Sequence, residues 1–349
     1  MDEGIYFGLA EDVYHAAEGL SNSGMKLLQA DPLVYWHRHF DPEREPPEET
    51  YAQMIGKAVH CRLLEPDRYP TCYAKELSKE DHPGCLVTTD DLKGFCSAKN
   101  LPVAAKVKQD LVDRIHGAGF DPPIWDALKK EADLRAAGKS ILKAADYKLV
   151  ERLAATTLAD PLAKLLMSDG MPEVSIFLRD PTTSVMLKCR MDYLKPKLTV
   201  DLKTFSNSRG KATDRAVFDA LYYEGYYIQA AFYTRMRRLA RDKLIAGELA
   251  VRGDFRESFL DDFLAWDNPG FAFVFVESSA PFALRVIQLK RAATEGAEPN
   301  IYHHAAAIRI DAMIALYAEC HRKYGTSRWA DAARIHLLEA MDLPQLAFN

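Results

Sequence analysis

The sequence lacks any closely spaced pair of cysteines, and it lacks an apolar run long enough to cross a membrane. Its six cysteines are scattered without a C-x-x-C pair, which argues against a zinc ribbon or an iron–sulfur site built from paired ligands. The densest apolar run, residues 271–276, is far shorter than the roughly 20 residues that span a bilayer. Residues 1–4 lack the basic region of a signal peptide. We therefore expect a soluble, cytoplasmic protein with reduced cysteines and no membrane partner.

An excess of one charge sign is also missing, because 45 Lys and Arg residues stand against 50 Asp and Glu residues, for a net charge of −5. This balance excludes a histone-like or polybasic protein, but it permits a nucleic-acid enzyme with a locally basic groove. The sequence contains no G-x-x-x-x-G-K-[ST] segment, so we expect no P-loop and no ATP-driven helicase activity. The 349 residues are enough for two average domains or for one larger domain.

The hydrophobic period indicates a mixed α/β fold. Helical spacing over 51–64 predicts a helix that contains His60. After Glu173 the period changes from about 3.6 to about 2 residues, which predicts a strand meander. The predicted strands cover 174–179, 184–194, 198–205, 271–277 and 282–289, and a long tyrosine-rich helix covers 216–242. This order predicts a mixed central sheet flanked by helices.

Residues 72–145 differ from their surroundings, because they are polar and rich in Lys and Asp. We interpret them as a small helical insertion in a single domain that otherwise spans residues 1–349. Within them, the segment 86–117 resembles the helix–extended–helix SAP module, which binds DNA, although Ala stands where that module usually has Gly before its Lys. The alternative is a helical insertion that only packs on the core.

An acid and a lysine share one face of the third predicted strand. Side chains alternate along a strand, so Asp201 and Lys203 project from one face while Val200 and Leu202 pack into the other. A short hairpin turn brings Asp192, from the preceding strand, near Asp201. Two close carboxylates repel each other unless a divalent cation lies between them, and Mg²⁺ prefers oxygen ligands. Lys203 would then orient or deprotonate a water or stabilise the phosphate; the alternative is a solvated hairpin with a surface ion pair.

Further motifs accompany this pair. Glu173 opens the strand before Asp192, and Gln229 and Tyr233 lie four residues apart on one helix face. The motifs occur in a fixed order along the chain, at residues 56–60, 173–177, 190–192, 200–204 and 229–233. This ordered set resembles the RecB-like branch of the PD-(D/E)XK nucleases, and within that branch the RecE-type exonucleases (exodeoxyribonuclease VIII) of prophages. The resemblance covers almost the whole chain.

The resemblance implies a set of metal ligands. Asp192 and Asp201 would be the principal ligands, with the backbone carbonyl of Leu202 as a further one. His60 and Glu173 would complete or support a second metal position. The metal would be Mg²⁺, with Mn²⁺ as a substitute, and the resemblance leaves open whether one or two ions bind.

The resemblance also implies roles for the other matching residues. Lys203 would act on the attacking water, and Gln229 and Tyr233 would face the substrate or hold the catalytic residues in place. Three basic residues that follow these motifs are candidates for contacts with DNA phosphates: Arg209, Lys211 and Arg235. The alternative for such residues is a solvated surface.

The function implied by the resemblance is Mg²⁺-dependent, ATP-independent hydrolysis of linear double-stranded DNA from its ends. Degradation would proceed 5′ to 3′ and leave 3′ single-stranded tails for DNA recombination or repair. A RecT-like single-strand annealing protein would be the partner, and the chain would form a ring-shaped homo-oligomer threaded by DNA.

Two alternatives remain open. One is another RecB-like nuclease of the repair or CRISPR-associated type, the latter of which typically carries four cysteines around an iron–sulfur cluster. The other is a catalytically inactive DNA-binding protein on the same fold, which we expect to have lost one of the residues Asp192, Asp201 and Lys203. All three are present.

Overall fold

The computed structural model describes residues 1–290 and 301–330, and the elements named here lie in those ranges. The strands are β1 (Gly4–Tyr6), β2 (Tyr73–Lys75), β3 (Ser140–Leu142), β4 (Met171–Arg179), β5 (Met186–Leu194), β6 (Leu198–Phe205), β7 (Ala250–Arg252), β8 (Gly270–Glu277) and β9 (Leu284–Leu289). The helices are α1 (Glu11–Ala16), α2 (Asn22–Ala30), α3 (Pro32–His39), α4 (Tyr51–Leu64), α5 (Tyr69–Cys72), α6 (Thr89–Ala98), α7 (Lys108–Gly117), α8 (Trp125–Ala136), α9 (Ala144–Ala159), α10 (Pro161–Leu166), α11 (Thr213–Tyr223), α12 (Tyr226–Ile245), α13 (Glu257–Leu264) and α14 (Ile301–Tyr324).

Seven of the strands form one mixed sheet in the order β7-β1-β4-β5-β6-β8-β9. Strands β6 and β8 run parallel, as do β1 and β7, and the other neighbours are antiparallel. The predicted meander corresponds to β4, β5 and β6, and its last turn is closed by a hydrogen bond from Lys195 N to Leu198 O (2.8 Å). The predicted fold class, a mixed sheet flanked by helices, is confirmed.

The sheet also contains two strands that the sequence pattern does not indicate. Strands β1 and β7 have three residues each and pair with each other at the edge beside β4. Three residues are too few to display an alternation of apolar and polar side chains. Strand β1 still matters for the site, because the chain that leaves it forms α1 and α2, which flank the cleft described below.

Helices cover both faces of the sheet. On one face, Val200 and Leu202 of β6 join a buried cluster with Val59 of α4 and Leu153 of α9. On the other face, α12 packs through Phe232 with residues of β4 and β5, and helices α2 and α14 join the same cluster. The alternation along β6 therefore separates its apolar side chains from its charged ones, as the sequence predicts. None of the described helices combines the length and apolar character that crossing a membrane requires.

The single helix predicted over 216–242 is wrong, because two helices occupy this region. Helix α11 ends at Tyr223 and α12 begins at Tyr226. Gly225 between them has a φ of 64°, in the left-handed region that glycine adopts without steric cost. The break places Gln229 in the first turns of a new helix, whose start lies against the charged end of β6.

The polar segment predicted as an insertion leaves the domain after β2 and returns at β3. These strands pair in parallel as a separate two-stranded sheet. Between them, α6 and α7 form a helix–extended–helix unit with its own buried cluster, which includes Leu92, Leu111 and Ile124. The binding of DNA by this SAP-like segment stays a prediction.

Gly253 tests the edge of the sheet where β7 meets β1. Its φ is 91°, and a Cβ atom there would lie 2.0 Å from the carbonyl oxygen of Phe7. Gly253→Ala should lower the free energy of unfolding by about 2 kcal/mol or more, because the backbone and Phe7 must both move. Gly247→Ala is the matched control, because its φ is 73° but no described atom lies within 4 Å of the added Cβ. Its free energy of unfolding should fall by only about 1 kcal/mol. If urea denaturation gave the same loss of unfolding free energy for both variants, the close approach of Gly253 to Phe7 would be wrong.

Candidate active site

A cleft of about 590 Å³ opens where β5 and β6 separate. The two strands pair through Tyr193 with Val200 and through Leu194 with Thr199. Asp192 and Asp201 are the next residues on each strand beyond these pairs. The strands therefore diverge at two carboxylates, and residues of α2, α4 and α12 line the space beside them.

We call the place where β5 and β6 separate, at Asp192 and Asp201, the fork. Asp192 bridges the two strands there with a hydrogen bond to the backbone of β6. Its Oδ2 accepts a hydrogen bond from Leu202 N at 2.9 Å. This bond replaces the strand partner that β6 loses when β5 diverges, so the amide remains satisfied. Asp192 also lines the cleft. Its carboxylate therefore accepts a hydrogen bond from the backbone and is also accessible from the cleft.

Asp201 is fully buried at the fork, with 0% of its surface exposed. Its Oδ2 accepts a hydrogen bond from Gln229 Nε2 at 2.6 Å. Its Oδ1 forms an ion pair with Lys203 Nζ at 2.5 Å, so both carboxylate oxygens have a polar partner. Burial and the nearby Asp192 carboxylate raise the pKa of Asp201 to about 6, against the opposing effect of Lys203.

Lys203 covers the Asp201 carboxylate from the cleft side, with 18% of its side chain exposed. Its ammonium also lies 5.0 Å from the ring centroid of Tyr226, a cation–π contact. Burial lowers the pKa of Lys203, but the Asp201 and Asp192 carboxylates raise it further, so that it ends above its usual range. The lysine is therefore a cation in the resting site.

His60 reaches the same fork from α4. Its Nε2 donates a hydrogen bond to the carbonyl oxygen of Leu202 at 2.7 Å, since a carbonyl only accepts. Its Nδ1 lies 3.6 Å from Asp192 Oδ2. The structure thus brings together the predicted residues His60, Leu202 and Asp192. For His60 Nε2 to bind a metal, this hydrogen bond must break, because that nitrogen carries the donated proton.

Glu173 lies opposite Asp192, where the β4–β5 ladder is interrupted between the pairs Pro172–Tyr193 and Val174–Met191. Its φ of 53° marks this local break. Arg190 holds its carboxylate, donating from Nε to Glu173 Oε2 at 2.5 Å. Burial and the Asp192 carboxylate raise the pKa of Glu173, while Arg190 opposes this effect.

Gln229 and Tyr233 occupy successive turns of α12 and both line the cleft. Gln229 is the residue that bonds to Asp201, as described above. Tyr233 packs its ring on Phe271, with 6.3 Å between ring centroids, and burial raises its pKa well above the usual range. Gln229 therefore holds a candidate metal ligand in place. Tyr233 remains protonated, and its ring forms part of the wall of the cleft.

The three candidate DNA-binding residues lie apart from these side chains. Arg209 is exposed in the loop after β6. Lys211 pairs with Asp219 at 2.5 Å, and Arg235 is held by Asp180 and Asp311 at 2.8 and 2.5 Å. None of the three lines the cleft, judged over the described residues. Their contact with DNA stays a prediction.

Two site residues lacked a role in the sequence prediction. Arg190 donates through Nη1 to the Leu9 carbonyl (2.8 Å) as well as holding Glu173. Lys26 of α2 lines the cleft, with its ammonium 5.4 Å from the Tyr226 ring centroid. The signal for Arg190 was available, because residues two apart on a strand share a face and Arg190 stands two before Asp192. Lys26 lies too far away in sequence for such an argument.

Comparison with known proteins now identifies the family. Residues 36–251 match the family described as "PDDEXK-like domain of unknown function (DUF3799)". The chain belongs to this PDDEXK-like family. The match spans the part of the chain that supplies His60, Glu173, Asp192, Asp201 and Lys203, so these residues belong to a PD-(D/E)XK nuclease superfamily domain.

Two further comparisons add little. A crystal structure described as a "Putative exonuclease" from Eubacterium rectale aligns with 97% of this chain and 98% of its own, at 15% identity and a TM-score of 0.47. A likeness this distant carries no argument about the site. A search of curated proteins finds no match to this chain.

PD-(D/E)XK nucleases typically use divalent metals, and the PDDEXK-like site offers suitable donors. Asp201 has a buried carboxylate whose Oδ1 is paired with the Lys203 ammonium, and Asp192 and Glu173 add carboxylates that line the adjoining cleft. Oxygen donors of this kind suit hard divalent cations. Within residues 1–290 and 301–330, however, no three His, Cys, Asp or Glu side chains already converge as a metal site. Binding would therefore require Lys203 to move off Asp201 Oδ1.

The raised pKa of Asp201 predicts how the stability of the metal-free protein changes with pH. Its folded pKa of about 6 exceeds the unfolded value of about 4, so the folded state retains a proton that the unfolded state has lost. The free energy of unfolding should therefore fall as pH rises from about 4 to about 6, and stay lowered above it. Asp201→Asn carries no proton that titrates in this range, so its free energy of unfolding should lack this decrease, which is on the order of 2–3 kcal/mol.

Urea denaturation in EDTA, at pH 4 and at pH 8, measures this difference. Asp219→Asn is the control, because Asp219 pairs with Lys211 and Arg215, which lower its pKa. This control should keep the decrease that the wild type shows between the two pH values. If Asp201→Asn lost as much stability between pH 4 and pH 8 as the wild type does, the electrostatic description of the fork would be wrong.

Proposed function

We propose that this protein is an ATP-independent, Mg²⁺-dependent exodeoxyribonuclease that degrades linear double-stranded DNA. The observation that carries the proposal is the fork itself, where the buried Asp201 carboxylate is paired with Lys203 and stands beside the cleft that Asp192 lines. Hydrolysis of a phosphodiester needs charge stabilisation on the attacking and leaving oxygens. A pair of carboxylates with an adjoining lysine offers both a metal site and a cation.

The residues of the fork have distinct tasks in this proposal. Asp192 and Asp201 hold the divalent ion, with Glu173 and His60 as supporting ligands. When bound, such an ion acts as a Lewis acid on phosphate oxygens and makes a bound water more acidic. Lys203 is protonated, so we assign it to stabilising negative charge on the phosphate and orienting the water rather than to removing a proton. Gln229 holds Asp201 in place.

Cations in the cleft support a polyanionic substrate. No carboxylate of the described residues lies within 4 Å of the Lys26 ammonium, and burial lowers its pKa. The N-terminus of α2, with Ser21 as its cap, lines the cleft as well, and helix N-termini attract phosphate groups. These groups suit a phosphate of the DNA backbone.

The remaining details of the proposal rest on the sequence resemblance to RecE-type exonucleases. These are 5′ to 3′ polarity, 3′ single-stranded products for recombination or repair in a prophage setting, a RecT-like annealing partner and a ring-shaped homo-oligomer. The choice of Mg²⁺ over Mn²⁺ rests on the same resemblance.

The alternatives are less well supported. The six cysteines, all among the described residues, form no disulfide and are distributed over α4, α5, the insertion, β5 and α14, whereas an iron–sulfur cluster needs four at one place. An inactive DNA-binding protein would be expected to have lost part of the fork. Asp192, Asp201 and Lys203 are present and adjacent.

The fork predicts separable effects on metal binding and on cleavage. Asp201→Asn removes a ligand charge, so Mn²⁺ binding and cleavage of linear duplex should both fall, cleavage by at least about 100-fold. Lys203→Ala should reduce cleavage as strongly while Mn²⁺ still binds, because the lysine is a cation that competes with the metal for Asp201. Isothermal titration with Mn²⁺ alongside the cleavage assay separates the two effects.

Lys197→Ala is the control for this pair of variants. Lys197 lies on the same hairpin, but its ammonium is 4.2 Å from the ring centroid of Trp266 rather than in the cleft. Its cleavage rate should match the wild type. If Asp201→Asn cleaved DNA at a rate near that of the wild type at millimolar Mg²⁺, the assignment of the fork as the active site would be wrong.

End dependence tests the exonuclease part of the proposal. Linear duplex should be consumed in Mg²⁺ without ATP, while covalently closed circular duplex of the same sequence should survive, since it offers no end. Linear duplex labelled at the 5′ or at the 3′ end reports the polarity. Rapid nicking of the closed circle would show an endonuclease instead.

A further inference from the structure

Three large aromatic side chains are exposed on α11, next to the candidate active site. Phe218, Tyr222 and Tyr223 have 53%, 62% and 75% of their surface exposed. We call them the aromatic platform. Phe218 and Tyr222 are four residues apart and so share one helix face, and Tyr223 adjoins them. Exposed rings clustered in this way mark a binding surface more often than isolated ones do.

The exposure of the platform is a consequence of how α11 packs. Its opposite face, with Val217 and Leu221, joins the buried aromatic cluster of β6 and β8, which includes Phe205 and Phe273. The sheet therefore fixes α11 with the platform turned outward. The core does not need these three rings, so another partner has to account for them.

The platform is continuous with the cleft. The chain turns at Gly225, where an added Cβ would lie 3.9 Å from Lys26 Cε. Tyr222 stacks on Tyr227, with ring centroids 6.3 Å apart and planes within 6°. Between them in sequence, Tyr226 lines the cleft and contacts the ammonium groups of Lys26 and Lys203 at 5.4 and 5.0 Å from its ring centroid. Tyr226 and Tyr227 thus connect the lining of the cleft to the platform.

The charges around the platform are mixed. The two carboxylates on the body of α11 are both ion-paired: Asp214 with Arg285 at 2.6 Å, and Asp219 with Lys211 at 2.5 Å. Glu224, the next residue after α11, is an exposed carboxylate. An exposed carboxylate beside the rings disfavours phosphate contacts at this point, so the rings are the part of α11 that suits the substrate.

We propose that the aromatic platform stacks with nucleobases of the DNA strand whose backbone enters the cleft. This inference rests on the proposed nuclease function and adds a contact to the bases. Every nucleobase has a π face, so aromatic stacking holds a strand without reading its sequence. Tyrosine suits such a surface, because its hydroxyl tolerates water when no DNA is bound.

Binding of single-stranded oligonucleotides in EDTA, where cleavage stops, tests the platform. The probes are a fluorescein-labelled strand of about 16 nucleotides and an abasic strand of the same length and charge. Fluorescence anisotropy should show that the wild type binds the strand with bases at least about tenfold more tightly than the abasic strand. The double variant Tyr222→Ala/Tyr223→Ala should bind both strands alike, at the affinity of the wild type for the abasic strand.

Two control variants separate stacking from other effects. Tyr222→Phe/Tyr223→Phe keeps the rings and should retain the preference for bases. Tyr302→Ala removes an exposed tyrosine of α14 that does not line the cleft, and it should also bind like the wild type. Loss of the preference in the Phe variant would assign the contact to the hydroxyl groups and overturn stacking.

The remaining outcomes are also decisive. If the Ala variant keeps the wild-type preference while the wild type cleaves linear duplex, the platform inference fails and the nuclease proposal stands. If the wild type neither binds nor cleaves DNA, the proposed function fails and the inference falls with it. A smaller molar mass for the Ala variant than for the wild type in light scattering, with unchanged DNA binding, would make the platform an interface between copies of the chain.

Discussion

The site depends on how the backbone of Leu202 is satisfied after β5 leaves β6. Buried peptide groups require hydrogen-bond partners, and at this position two side chains replace the missing strand. Asp192 accepts from Leu202 N and His60 donates to Leu202 O. The same side chains are candidate metal ligands. The backbone of Leu202, left without its strand partner, thus holds Asp192 of β5 and His60 of α4 at one place.

The rest of the fork balances charge against burial. Asp201 is enclosed and would be costly as an unpaired anion, so it is held between the neutral amide of Gln229 and the ammonium of Lys203. Glu173 has a corresponding partner in Arg190. Asp201 and Glu173 therefore each have a partner of their own. The groups that a reaction would use are thus groups whose burial is costly without such partners.

Much of this arrangement is predictable from the sequence. The parts that are not predictable depend on contacts or chain breaks that no local pattern shows. Alternation along β6 places Asp201 and Lys203 on one face, and the short turn at Lys195 brings Asp192 beside them. The broken helix around Gly225 was missed because helical spacing continues across a single glycine. The contact of Lys26 with Tyr226 joins residues 200 positions apart in the chain, and no local pattern encodes such a contact.

The parallel pairing of β2 with β3 has a consequence for how this domain can change. The insertion leaves and returns through one small clasp, and its apolar residues form a cluster of their own. Tyr73 and Ser140, one from each strand of the clasp, also line the cleft. A change in how the insertion is attached would therefore alter the cleft beside Asp192 as well as the insertion itself.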